Sequence, residues 1–159
     1  MPDLEACRFC GRVVTIPEIA KLQEHLSCAA LDNANLWQHD VTLFHSKFGI
    51  PIRIVPEIPA ENRQILRLNL IMEEVSELQE AIRQYDIIGI ADGIADAIYV
   101  ILGTAIEYGI NMTPVWDEVQ RTNMAKVGGT VREDGKILKP EGWTPPDIVK
   151  ILTAQGLVI

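Results

Sequence analysis

The sequence predicts an all-α protein, on three observations. Apolar residues recur at helical spacing through most of the chain, period-2 alternation is nearly absent, and Gly and Pro fall where helices would end. With 159 residues, 48% of them hydrophobic, the chain suits one domain with a real core and a small appendage. We therefore expect a small N-terminal segment, 1–30, followed by a helical domain, 31–159.

The first segment holds all three cysteines and a short helix beginning near Pro17. A helix over about 32–48 follows, with Asp32 as its N-cap and Trp37, Val41, Phe44 and Phe48 at helical spacing. Gly49 ends it, and "IPIRIVPEIPA" (50–60) reads as a proline-punctuated connector. A long helix is expected over about 61–84 and an apolar one over about 88–108. "GINMTP" (109–114) stops the chain and restarts it, with Thr113 as N-cap and Pro114 as first helical residue of a helix to about 125. A loop over 127–146, whose "REDGK" suits a small hairpin, leads to a short final helix. No internal repeat is visible.

The net charge of −8, with 14 basic against 22 acidic residues, argues against broad binding to a nucleic-acid backbone. A polyanionic substrate stays open, because a bound divalent cation inverts the local field. The opening residues do not read as a secretory signal. The apolar stretch 87–110 is long enough for a membrane span. Asp92 and Asp96 stand near its middle, at about 2.5–3.5 kcal/mol each on insertion scales. It reads instead as a buried helix of a cytoplasmic protein with no membrane partner.

Glu73, Glu74 and Glu77 lie in "IMEEVSELQEAI" (71–82). At about 100° per residue they share one arc of the helix, a costly arrangement unless something positive joins them. Asp92 and Asp96, four apart, share a face with Gly89, Gly93 and Gly103, where small residues admit another backbone. If the two long helices pack antiparallel, five carboxylates converge, as in the metal sites of helical bundles. Oxygen ligands in that number suit Mg²⁺ or Mn²⁺ better than Zn²⁺.

"EEVSE", "ADGIADAIYV" and "VQRTNMAKVGG…DGKILKPEGWTPPDI", in that order, resemble the MazG-type all-α nucleoside-triphosphate pyrophosphohydrolases over about 35–150. The branch is the dUTPase-like and phosphoribosyl-ATP-pyrophosphohydrolase-like one. The resemblance implies magnesium-dependent attack of water on the α-phosphorus, with release of a nucleoside monophosphate and pyrophosphate. It implies metal ligation by Glu74, Glu77, Asp92 and Asp96, and Glu73 as the base. The family pattern, Glu-Glu-x-x-Glu then Glu-x-x-Asp, is broken at Gly93, for which Asp92 is the expected substitute. On that expectation, Asp92→Ala combined with Gly93→Glu restores part of the activity. Arg121, Asn123, Lys126, Lys136, Lys139 and Tyr99 are phosphate-binding candidates. Trp37, His45, Phe48 and Trp143 are base-binding candidates, Trp143 being either a lid or an anchor for the tail. The resemblance also implies a homodimer or homotetramer, with dUTP or another dNTP as favoured substrate.

Outside the resemblance, Cys7, Cys10, His25 and Cys28 have the paired spacing of a structural Zn²⁺ site. Such a finger offers a protein or nucleic-acid contact. It also carries the second reading of the whole chain: a non-catalytic binding module that keeps the helical fold and recruits a partner through the finger.

Overall fold

The computed structural model describes residues 36–158. The N-terminal cysteines and His25, the helix near Pro17 and the Asp32 cap lie outside them. Among the described residues there are five helices: α1 (Leu36–Phe48), α2 (Glu61–Arg83), α3 (Ile87–Glu107), α4 (Met112–Met124) and α5 (Ile148–Ala154). The all-α expectation holds, with bounds close to those the sequence suggests.

Helices α2 and α3 form an antiparallel hairpin. Its turn is tight: Tyr85 takes a left-handed φ of 56°, and the Asp86 carboxylate caps α3 by accepting from the Ile88 amide at 3.0 Å. The hairpin is close-packed because α3 presents glycines to α2. A Cβ on Gly93 would stand 3.0 Å from the Leu78 Cα and 3.3 Å from its amide nitrogen, and one on Gly89 would stand 3.2 Å from the Ala81 Cβ. The small residues thus let the backbones approach, as their spacing suggested.

The core gathers around the C-terminal half of α3, where Leu102 and Ile106 meet Val41 of α1, flanked by Ile52, Ile98 and Met112. The 50–60 connector runs along this end. The Arg53 amide donates to the Ile106 carbonyl and the Glu57 amide to the Tyr108 carbonyl, each at 3.1 Å. Gly109 (φ +69°) sits so tightly against the Val55 carbonyl that no side chain fits there. The Gln38 amide ties α1 to the start of α4, donating to the Ile110 carbonyl and accepting from the Met112 amide.

Two expectations need correction. Helix α4 is capped by Asn111, not Thr113: the Asn111 side chain accepts from the Thr113 amide at 3.0 Å, which moves the start back and puts Pro114 inside the first turn. The apolar helix is buried only in part: Ala97, Leu102, Ala105 and Ile106 are covered, and much of the rest is not. Ile87, Ile88, Ile94 and Ile101 are exposed, and only 22% of its most apolar stretch is covered, although by length and composition it could cross a membrane. Asp92 and Asp96 are exposed as well, so burial cannot be the reason for their pairing. The "REDGK" hairpin does form: Val131 and Ile137 bridge antiparallel around a turn closed by the Arg132 amide on the Lys136 carbonyl.

Candidate metal and nucleotide site

The antiparallel register sets Glu73, Glu74 and Glu77 on α2 against Asp92 and Asp96 on α3. Glu74 is half-buried and the other four are exposed. Partial burial raises the Glu74 carboxyl above its ordinary value, and the charges of Asp96, Glu77, Glu73 and Asp92 raise it further. One carboxylate therefore feels all four others, and each of them raises it.

Among the described residues, no three His, Cys, Asp or Glu side chains stand close enough to grip a metal ion. The two observations fit together. Exposed carboxylate side chains turn about soft torsions, so a shared cation would gather them by rotamer changes. An all-oxygen, all-anionic donor set of this kind fits Mg²⁺ or Mn²⁺. Gly93 faces the α2 backbone, so the position where the resembled pattern has Glu is a packing position here.

Where the hairpin begins, a different charge cluster appears that sequence reasoning missed. Glu107 is fully buried and accepts both Arg63 nitrogens, at 2.6 and 2.8 Å, with an Arg67 nitrogen 3.6 Å away. Arg67, also buried, donates to the Thr104 hydroxyl at 3.1 Å and to the Val100 carbonyl. His45 joins this cluster in the core: its Nδ1 lies 3.1 Å from the Pro51 carbonyl, and burial pushes its pKa down. It is packed in the core.

The phosphate candidates divide. Arg121 pairs with both oxygens of Glu118 at 2.7 Å, and Glu118 also accepts from the Asp147 amide at 3.0 Å. These contacts hold the Glu118 carboxyl at about 2: Arg121 pairs with it within α4, and Glu118 itself reaches the Asp147 amide at the start of α5. The Lys126 ammonium donates to Asn123 at 2.6 Å. Lys139 lies over the Trp143 ring, 4.1 Å from its centre, while the indole N–H donates to the Thr122 carbonyl at 2.8 Å. Of the two roles open to Trp143, this contact is that of an anchor folding the loop back onto α4. Lys136 is exposed on the hairpin. None of the hydrogen bonds or ion pairs among the described residues joins these cations to the carboxylates.

Aromatic residues gather elsewhere. Phe44 packs edge-on against Tyr99 with centroids 5.6 Å apart and against Phe48 at 4.5 Å. Trp37 is 64% exposed. Tyr99, a phosphate candidate by sequence, has burial and the Asp40 charge raising its phenol pKa, and that anionic neighbour is a poor companion for phosphate.

The sequence matches the family described as phosphoribosyl-ATP pyrophosphohydrolase over residues 41–123, more than half of the chain. The chain belongs to that family. The matched residues begin within α1 and reach nearly to the end of α4, so they include the whole hairpin and its carboxylates. The family is one of pyrophosphohydrolases and belongs to the MazG-like all-α superfamily. The chain is also 40% identical over 73 residues to an uncharacterized protein of Acanthamoeba polyphaga mimivirus, a stretch that is 43% of this chain and 29% of the viral protein.

Proposed function

We propose that this protein hydrolyses a nucleoside triphosphate at the α-phosphorus, releasing a nucleoside monophosphate and pyrophosphate. The observation that carries the reading is the half-buried Glu74 carboxyl surrounded by four other carboxylates on a rigid hairpin. Such an arrangement costs stability unless a cation is part of it. Glu74, Glu77, Asp92 and Asp96 would hold Mg²⁺ or Mn²⁺, and Glu73 would accept the proton of the attacking water. The ion would neutralise the phosphates and lower the pKa of that water. Lys126 and Lys139, with Lys136 from the hairpin, would supply the positive charge for the leaving pyrophosphate, and the Asn123 amide a hydrogen-bond donor.

The exposed aliphatic face of α3 supports a homodimer or homotetramer, since single-chain packing leaves it uncovered. From their spacing alone, Cys7, Cys10, His25 and Cys28 are proposed to hold one structural Zn²⁺. Metal analysis of protein purified without added metal tests this, with one zinc per chain expected and none in Cys7→Ser.

The deciding experiment is pyrophosphate release from a panel of nucleoside triphosphates with Mg²⁺. Release that Glu74→Gln abolishes supports the reading. Tight nucleotide binding without release from any member of the panel overturns it in favour of the non-catalytic module.

A further inference from the structure

The aromatic cluster on α1 and α3 lies one helical turn from the proposed metal site, and nothing in the hydrolytic chemistry uses it. Tyr99 follows Asp96 by three residues on α3, so their side chains project from adjacent positions on one side of that helix. Phe44 meets the Tyr99 ring edge-on and Phe48 extends the surface, leaving aromatic area exposed at all three residues. On α1, Asp40 precedes Phe44 by four residues and therefore stands over the same face. Its neighbours include the Tyr99 phenol, which feels its charge, and His39, whose Nδ1 is 3.9 Å from its carboxylate.

An aromatic surface stacks any nucleobase, so stacking gives affinity without choice. Choice comes from the group at its edge, and here that group is a carboxylate, which only accepts. Guanine presents two adjacent donors on its pairing edge, the ring N1–H and the exocyclic amine, matched in direction to the two oxygens of a carboxylate. Adenine and cytosine offer one amine beside an acceptor nitrogen. Uracil and thymine offer one N–H between two carbonyls, which a carboxylate repels.

We infer that Phe44, Phe48 and Tyr99 form the stacking surface for the substrate base and that Asp40 selects guanine at its edge. This rests on the nucleotide reading above and deepens it: the substrate class becomes guanine nucleoside triphosphates. The placement is consistent with the chain's dimensions, because a single helical turn separates Tyr99 from Asp96, and the ribose must bridge a gap of that order between base and α-phosphate.

Two measurements on the full chain keep this inference separate from the hydrolytic one. Binding of the monophosphates dGMP, dAMP, dCMP and dUMP, followed by calorimetry, reads the base site without any turnover. Pyrophosphate release from the matching triphosphates reads the chemistry. The wild type is expected to bind dGMP about ten-fold or more tighter than the others, a margin set by charge-assisted hydrogen bonds to the base edge. Asp40→Asn should remove that preference while keeping affinity for the other three. Phe48→Ala, at an exposed position, should weaken all four alike by about ten-fold, the stacking contribution. Equal binding of the four bases by the wild type, or a guanine preference that survives Asp40→Asn, overturns the inference while leaving hydrolysis standing. A guanine preference in binding without pyrophosphate release supports the base site and overturns the hydrolytic reading.

Discussion

At the start of the α2–α3 hairpin, Glu107 is fully buried with Arg63 and Arg67 around it; toward the turn, the carboxylates of Glu73, Glu74, Glu77, Asp92 and Asp96 face one another. Both clusters are built by the same two helices, in the same register. In the first, each charge is met by an opposite one and several hydrogen bonds, which is the condition under which buried ions are tolerated. In the second, the four carboxylates nearest in effect to Glu74 all raise it. The contrast teaches that the hairpin pairs its charges internally at one end and leaves an unpaired acidic surface at the other, the one proposed above to take a cation.

The largest expected effect breaks the paired end. Glu107→Ala strands Arg67 in the core without its anion and should cost about 3–5 kcal/mol in a denaturant titration. Next comes the packing that holds both ends in register. Gly93→Glu must force α2 away at Leu78, costing about 1–3 kcal/mol, and so the double change with Asp92→Ala should restore no activity. This reverses the expectation drawn from the family pattern, and pyrophosphate release by the double variant checks it.

A smaller effect sharpens the unpaired end. Because folding raises the Glu74 carboxyl, the folded state favours its protonated form, and the ionised form is a cost. That cost is present above the raised value and disappears as pH falls below the ordinary value of 4.5. In chelator, Glu74→Gln should therefore melt above the wild type near about pH 7, and the two should converge below about pH 4. The smallest effect concerns a pair that is matched but exposed. Arg121→Gln should leave stability nearly unchanged, while the Glu118 carboxyl, held at about 2, moves back toward its ordinary range in an NMR titration.

Much of this was legible in the sequence. The punctuation by Gly49, Pro51, Gly109 and Pro114 bounds the helices, and the glycines of α3 announce its close approach to α2. The carboxylate set was legible because its members cluster locally. The Arg63–Glu107 pair was not, because its members are far apart and each looks like an ordinary surface charge. A signal was present all the same. In an antiparallel hairpin, residues equally distant from the turn face each other, and Arg63 and Glu107 are equally distant from Tyr85, as are Glu74 and Asp96. The burial of His45 was not legible, because a helical stripe cannot say which of its aromatic members points inward. The Thr113 cap was misread because Asn111, two residues earlier, caps at least as well.

The central claim is that the unpaired end of the hairpin exists to hold a cation. Its most direct test is calorimetric titration of Mg²⁺ into the nucleotide-free wild type, Glu74→Gln and Asp96→Asn. The account predicts saturable binding by the wild type and a loss of more than about ten-fold in affinity in each variant. Equal Mg²⁺ affinity in all three proteins would contradict it.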